Sequence, residues 1–174
     1  KYLWFIDDYT IPPPNALRRL VHVLENYPDI KAIGGVYVTK SDPTQPVVFR
    51  GSGLGSFWHW KYGDVFEVTS MGTGCMLINL DVFQHLKKPW FAFTEKPSFD
   101  AYTAGQLTSE DVGFCNAVRE AGFRVFAHGG ILCDHFDAET GKYYSLPLDS
   151  YPCRPETKSL ANPIVLEDSQ ESKK

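Results

Sequence analysis

Apolar positions set the outline of this chain. Tyr2-Leu3-Trp4-Phe5-Ile6 is an unbroken apolar run, the right length for a short buried strand. Pro12-Pro13-Pro14 then stiffens a turn and suits a helix start, where a missing N–H costs little. Ala16, Leu17, Leu20, Val21 and Leu24 recur at helical spacing. They predict an amphipathic helix over residues 15–26, stopped by Tyr27-Pro28-Asp29. Residues 31–39 read as a strand in which Gly34-Gly35 admits a bulge or a close neighbour, with residues 47–50 as its hairpin partner. Residues 51–63, rich in Gly, Trp and His, read as a loop. Residues 66–68 and 75–80 read as strands, and Asp81 as the cap of a short helix over 82–86. A long irregular stretch, 90–107, leads to Thr108-Ser109-Glu110-Asp111, which opens a second helix closing at Gly122. Residues 123–127 and 131–133 read as two further short strands. Beyond Cys153 polar residues take over.

Strands alternating with helices predict an α/β domain, whose ligands bind at the carboxyl ends of the strands. An apolar run such as 2–6 is expected to lie centrally, buried on both faces. Because it comes at once after Lys1, the domain is expected to be incomplete, with an upstream portion absent. The domain is expected over 1–152, with a polar tail over 153–174.

Composition narrows the function classes. The 174 residues are 43% hydrophobic, enough for a soluble globular core. The net charge of -4, with basic residues scattered, argues against a nucleic-acid partner. No apolar run approaches the roughly 18 residues of a membrane span, so no transmembrane segment is expected. Cys75, Cys115, Cys133 and Cys153 form no C-x-x-C pair, which argues against structural zinc. They read as reduced core thiols of a cytoplasmic protein.

Four short stretches carry candidate chemistry. Asp7 and Asp8 end the first strand; they cap the following turn, or they hold a divalent cation, which seeks carboxylate oxygens. Glu110 and Asp111 sit where a helix dipole favours acids behind a Thr108 cap, and where an acid facing a cleft serves as a general base. His135 follows a strand end and is a surface or core residue or a metal ligand. Gly72-Thr73-Gly74 is a tight turn or a place where substrate meets backbone. Trp58, Trp60 and Trp90 offer either core packing or flat surfaces for a sugar.

In order and spacing, "WFIDDYTIPPP", "GTGCMLINLDVF", "PWF", "SEDVGFCNAVREAGFRV" and "ILCDHFD" resemble a family-2-type glycosyltransferase of the GT-A fold. The resemblance spans residues 2–144. It implies a Rossmann-like mixed sheet flanked by helices, with 1–152 as the C-terminal part of such a domain. It further implies a nucleotide-sugar donor, a glycan, lipid-linked or protein acceptor, a Mn²⁺ or Mg²⁺ ion, and inverting transfer. Asp7 matches the first acid of the D-x-D motif, Asp111 the base with Glu110 beside it, and His135 the late metal ligand of some members. Tyr9 replaces the second acid of D-x-D. On a continuing strand Asp7 and Tyr9 would share a face with Asp8 opposite; a chain that turns would let Asp8 serve. A non-catalytic glycan- or nucleotide-binding domain and a nucleotidyltransferase are the alternatives.

Overall fold

The computed structural model describes residues 1–51, 55–95 and 107–147. The polar tail, Cys153 and most of the irregular stretch therefore lie outside the described residues. The elements run β1 (Tyr2–Ile6), β2 (Thr10–Ile11), α1 (Ala16–Asn26), β3 (Ile30–Val36), β4 (Val48–Phe49), β5 (Val65–Val68), β6 (Ser70–Met71) and β7 (Cys75–Asn79). A 3-10 helix (Leu80–Gln84), β8 (Thr94–Glu95), β9 (Leu107–Thr108), α2 (Glu110–Glu120), β10 (Arg124–Leu132), β11 (Asp134–Asp137) and β12 (Lys142–Tyr144) follow.

A five-stranded mixed sheet in the order β1-β7-β3-β10-β5 is the frame. Only β3 and β10 run parallel in it. Side chains alternate across this sheet into two cores, as strand geometry requires. Ala32, Val36, Met76, Ile78, Val125 and Ala127 face one core, with Phe114 and Val118 of α2. Ile33, Leu77 and Phe126 face the other, with Leu20, Val23 and Leu24 of α1. Each helix thus covers one face. Gly122, at φ +86°, ends α2 in the left-handed conformation that glycine adopts without strain.

Several local expectations are corrected by partners distant in sequence. Among the described residues β1 pairs with β7 alone, with no strand on its other side, and Leu3 and Ile6 are 39% and 43% exposed. An unbroken apolar run does not by itself distinguish centre from edge. β4 pairs with β6, not with β3. The link to the end of β3 is a single bridge, Val38 to Pro46. Asn79, not Asp81, caps the 3-10 helix, its side chain accepting from the Asp81 N–H. Ser109, not Thr108, caps α2, accepting from the Val112 N–H.

The two strands expected around residues 123–133 are one, β10, interrupted by a bulge. His128 stands opposite Gly35 and Leu132 opposite Val36, so residues 129–131 loop out. Both glycines are closely approached there. A Cβ on Gly129 would strike the Trp60 indole, and one on Gly130 the Arg19 guanidinium. His128 is buried beneath this bulge, and burial with Arg19 nearby holds its pKa down to about 3. Cys75, Cys115 and Cys133 are free and buried. Burial raises the Cys115 thiol to about 12, which suits an inert core residue.

Candidate functional site

The carboxyl ends of β1 and β3 lie at the same edge as the amino end of β7, because β7 runs antiparallel to both. Asp7, Gly74 and Tyr37 meet there. The Asp7 N–H donates to the Gly74 carbonyl at 3.1 Å, and the Asp7 carbonyl accepts from the Thr10 N–H at 3.0 Å. That second bond closes a turn, so strand alternation stops at Ile6 and does not carry on to Tyr9. Asp7 and Tyr9 are therefore not held to one face. The Tyr9 ring is 43% exposed and lies under Lys40, whose Nζ is 4.3 Å from its centroid. Asp8 is exposed in the same turn.

Gly74 is where these groups close in. A Cβ on it would stand 2.8 Å from Thr10 Oγ1, 2.9 Å from Asp7 Oδ2 and 3.0 Å from Tyr37 Cε1. The glycine turn also holds the second carboxylate. The Thr73 hydroxyl donates to Asp111 Oδ1 at 2.6 Å, and its backbone N–H donates to the same side chain. Burial pushes the Asp111 carboxyl above the ordinary aspartate value; Thr73 opposes this, while Glu110 and Asp7 add to it. Glu110 lies beside it, half-buried.

His135 arrives from β11, which pairs with β2 so that His135 faces Thr10. His135 Nδ1 lies 2.7 Å from the Val38 carbonyl. A carbonyl only accepts, so Nδ1 carries the hydrogen, and in the neutral ring Nε2 keeps the lone pair. The Tyr37 ring meets the imidazole edge-on, with centroids 5.6 Å apart. Asp7, Thr73, Gly74 and Asp111 are thus gathered, and His135 joins them through Tyr37.

The expected cation ligands are Asp7, Asp8 and His135. Among the described residues no three His, Cys, Asp or Glu side chains gather as a cation site. Asp7 and Asp8 are both exposed in the turn after β1, and His135 is half-buried. One carboxylate and one imidazole nitrogen suit a divalent ion only when phosphate oxygens and water complete its shell, as Mg²⁺ commonly accepts.

The tryptophans divide. Trp60 is a correction: it is 4% exposed and stacks on Phe66 with centroids 5.2 Å apart, so it packs the core. Trp58 is half-buried against the same core. Trp90 is half-buried over Phe83 at 4.6 Å, with Lys88 on its ring. A cleft of about 540 Å³ opens at the same sheet end, lined by Asn15, Arg19, Tyr62 and Leu132. Sequence reading missed Tyr37 and Thr10. The available signal was their place: each lies close to the carboxyl end of a strand, beside a named acid or a glycine pair.

No family model and no curated protein matches the chain. Among solved structures, A197 from STIV is similar, with a TM-score of 0.55 and 19% identity. The likeness covers 83% of this chain, which spans 65% of the length of that one. It is a likeness of fold. No helix among the described residues is long and apolar enough to cross a membrane.

Proposed function

We propose that this chain belongs to a glycosyltransferase of the GT-A type, moving a sugar from a nucleotide-sugar to an acceptor hydroxyl with inversion. The observation that carries the reading is the meeting of the Asp7 and Asp111 carboxylates around one glycine turn at a sheet edge. Two acids from elements distant in sequence are brought together there, and among the described residues neither forms an ion pair with a Lys or Arg.

Asp111 is the base. Its raised pKa brings it nearer to neutral than an ordinary aspartate, which favours proton transfer from a hydroxyl. The acceptor oxygen forms a bond to the anomeric carbon as the bond to the diphosphate oxygen breaks, and the hydroxyl proton passes to Asp111. Thr73 aims the carboxylate with two hydrogen bonds. Asp7 and His135 Nε2 would hold the Mn²⁺ or Mg²⁺ together with the diphosphate. Held there, such an ion would supply neutralisation of the charge on the leaving group. A carboxylate and an imidazole with its other nitrogen fixed by a carbonyl are suitable donors for that task. The partial donor set and the outward Tyr9 favour a second reading, a domain that binds a glycan or nucleotide without turnover.

A panel of nucleotide-sugars with Mn²⁺, assayed for released nucleoside diphosphate and for the anomer formed, tests the proposal. Inverted product supports it. Saturable donor binding without release across the panel would replace it with the binding-domain reading.

The metal assignment has its own test. His135→Ala is expected to weaken Mn²⁺ binding in the presence of a nucleoside diphosphate by about 10- to 100-fold, the range seen when groups that shape a metal site are lost. Calorimetric titration reads this directly. Equal affinity in parent and variant would remove His135 from the site.

A further inference from the structure

We infer that Tyr37 is the positioning residue of this site: it holds the glycine turn that aims Asp111, while the adjacent backbone sets the His135 ring. The inference rests on the reading of Asp111 as the base.

Tyr37 is 6% exposed, just past the end of β3. Its hydroxyl accepts from the Gly74 N–H. Its ring stands 3.0 Å from where a Gly74 Cβ would lie, and a Cβ on Gly72 would collide with its hydroxyl. Glycines on both sides of Thr73 therefore make room for one phenol. The turn is clamped at its other end as well, since the Gly72 N–H donates to the Val47 carbonyl at 3.1 Å, and the Val47 N–H donates to the Tyr37 carbonyl at 2.9 Å. Between these clamps Thr73 projects onto Asp111. The next residue, Val38, accepts from His135 Nδ1, and the Tyr37 ring sets the plane of the imidazole edge-on. Two candidate groups from separate elements thus take their direction from one strand end.

Burial, and then the charges of Asp111 and Asp7, raise the phenol's pKa, so it stays a neutral hydrogen-bonding group. The titratable groups around Asp111 are Glu110 and Cys115 on its own helix, Asp7 after β1 and Tyr37 after β3. Of these, Tyr37 also supports the turn that supplies both hydrogen bonds from Thr73.

Tyr37→Phe removes the hydroxyl and keeps the ring in its place. In the full chain, carboxyl carbon NMR follows the Asp111 titration. Loosening the turn weakens two donors that stabilise the carboxylate, so the Asp111 pKa is expected to rise by about half a unit or more. Ile30→Val, at the far end of β3, is expected to lower stability and leave that titration in place. With an active donor, the acid limb of kcat/KM should move the same way, and kcat should fall more than donor affinity. An Asp111 titration unmoved by Tyr37→Phe would overturn the inference and leave Tyr37 as packing. If the chain turns over no nucleotide-sugar, the glycosyltransferase reading fails, and the titration still decides the role of Tyr37.

Discussion

Asp111→Asn is expected to lower sugar transfer by about 10²- to 10⁴-fold, the usual contribution of a positioned acid–base group. Asn keeps the shape of the side chain and an oxygen for the Thr73 hydroxyl to donate to. It removes the basicity. Donor binding, measured separately, should change little, because Asp111 is assigned to the acceptor. Turnover equal to the parent's would clear Asp111 of the role.

The same substitution has a stability signature of opposite sign. The folded Asp111 pKa lies above the ordinary aspartate value. Between those two values the folded chain binds more protons than the unfolded one, so stability falls as pH rises through that window. The parent therefore carries a penalty at neutral pH that is absent in acid. Asp111→Asn removes it. The melting temperature of the variant relative to the parent should rise as pH climbs above the ordinary carboxylate range. A relative melting temperature that does not vary with pH would contradict the raised pKa. A site that gains stability when it loses activity is the common trade of catalytic groups.

Phe114→Ala is expected to cost about 3–5 kcal/mol of folding stability, the range for large aromatic truncations in a core. Phe114 lies one helical turn after Asp111 and is fully buried. It stacks on Phe91 with centroids 4.6 Å apart and an interplanar angle of 14°. Phe83 lies 5.9 Å from it, and Phe91 in turn meets Phe5 of β1 at 5.3 Å. Helix α2 is therefore pinned to the same strand that Asp7 follows. Removing the ring leaves a cavity and frees the helix that carries the base. Chemical denaturation reads the loss, and Phe114→Leu should recover most of it. A cost under about 1 kcal/mol would mean the cavity collapses freely and that the aromatic stack does not anchor α2.

Much of the local structure was legible in the chain. The helical recurrence from Ala16 to Leu24 yielded α1, and the acids behind Ser109, closed by Gly122, yielded α2. The apolar runs yielded β1 and β7. These are properties of neighbours: period, cap and breaker act over a few residues, so sequence determines them. The placing of acids at strand ends, and hence the candidate site, followed from the same order.

Tertiary structure decided the rest, because the partner in each case lies far along the chain. Whether β1 is central or an edge depends on which strands pair with it, not on its own residues. Trp60 sits in a glycine-rich stretch that reads as a loop; it is buried because Gly129 and Phe66 come from elsewhere to receive it. The strand after residue 123 continues through Gly129-Gly130, where Trp60 and Arg19 from elsewhere in the chain lie against the two glycines. Burial is the largest cause of the raised Asp111 pKa, and burial is a sum over every neighbour in space. Tyr37 drew no notice as one aromatic in an apolar run. Its place at the centre of the site exists only once β1, β7 and α2 are folded around the end of β3.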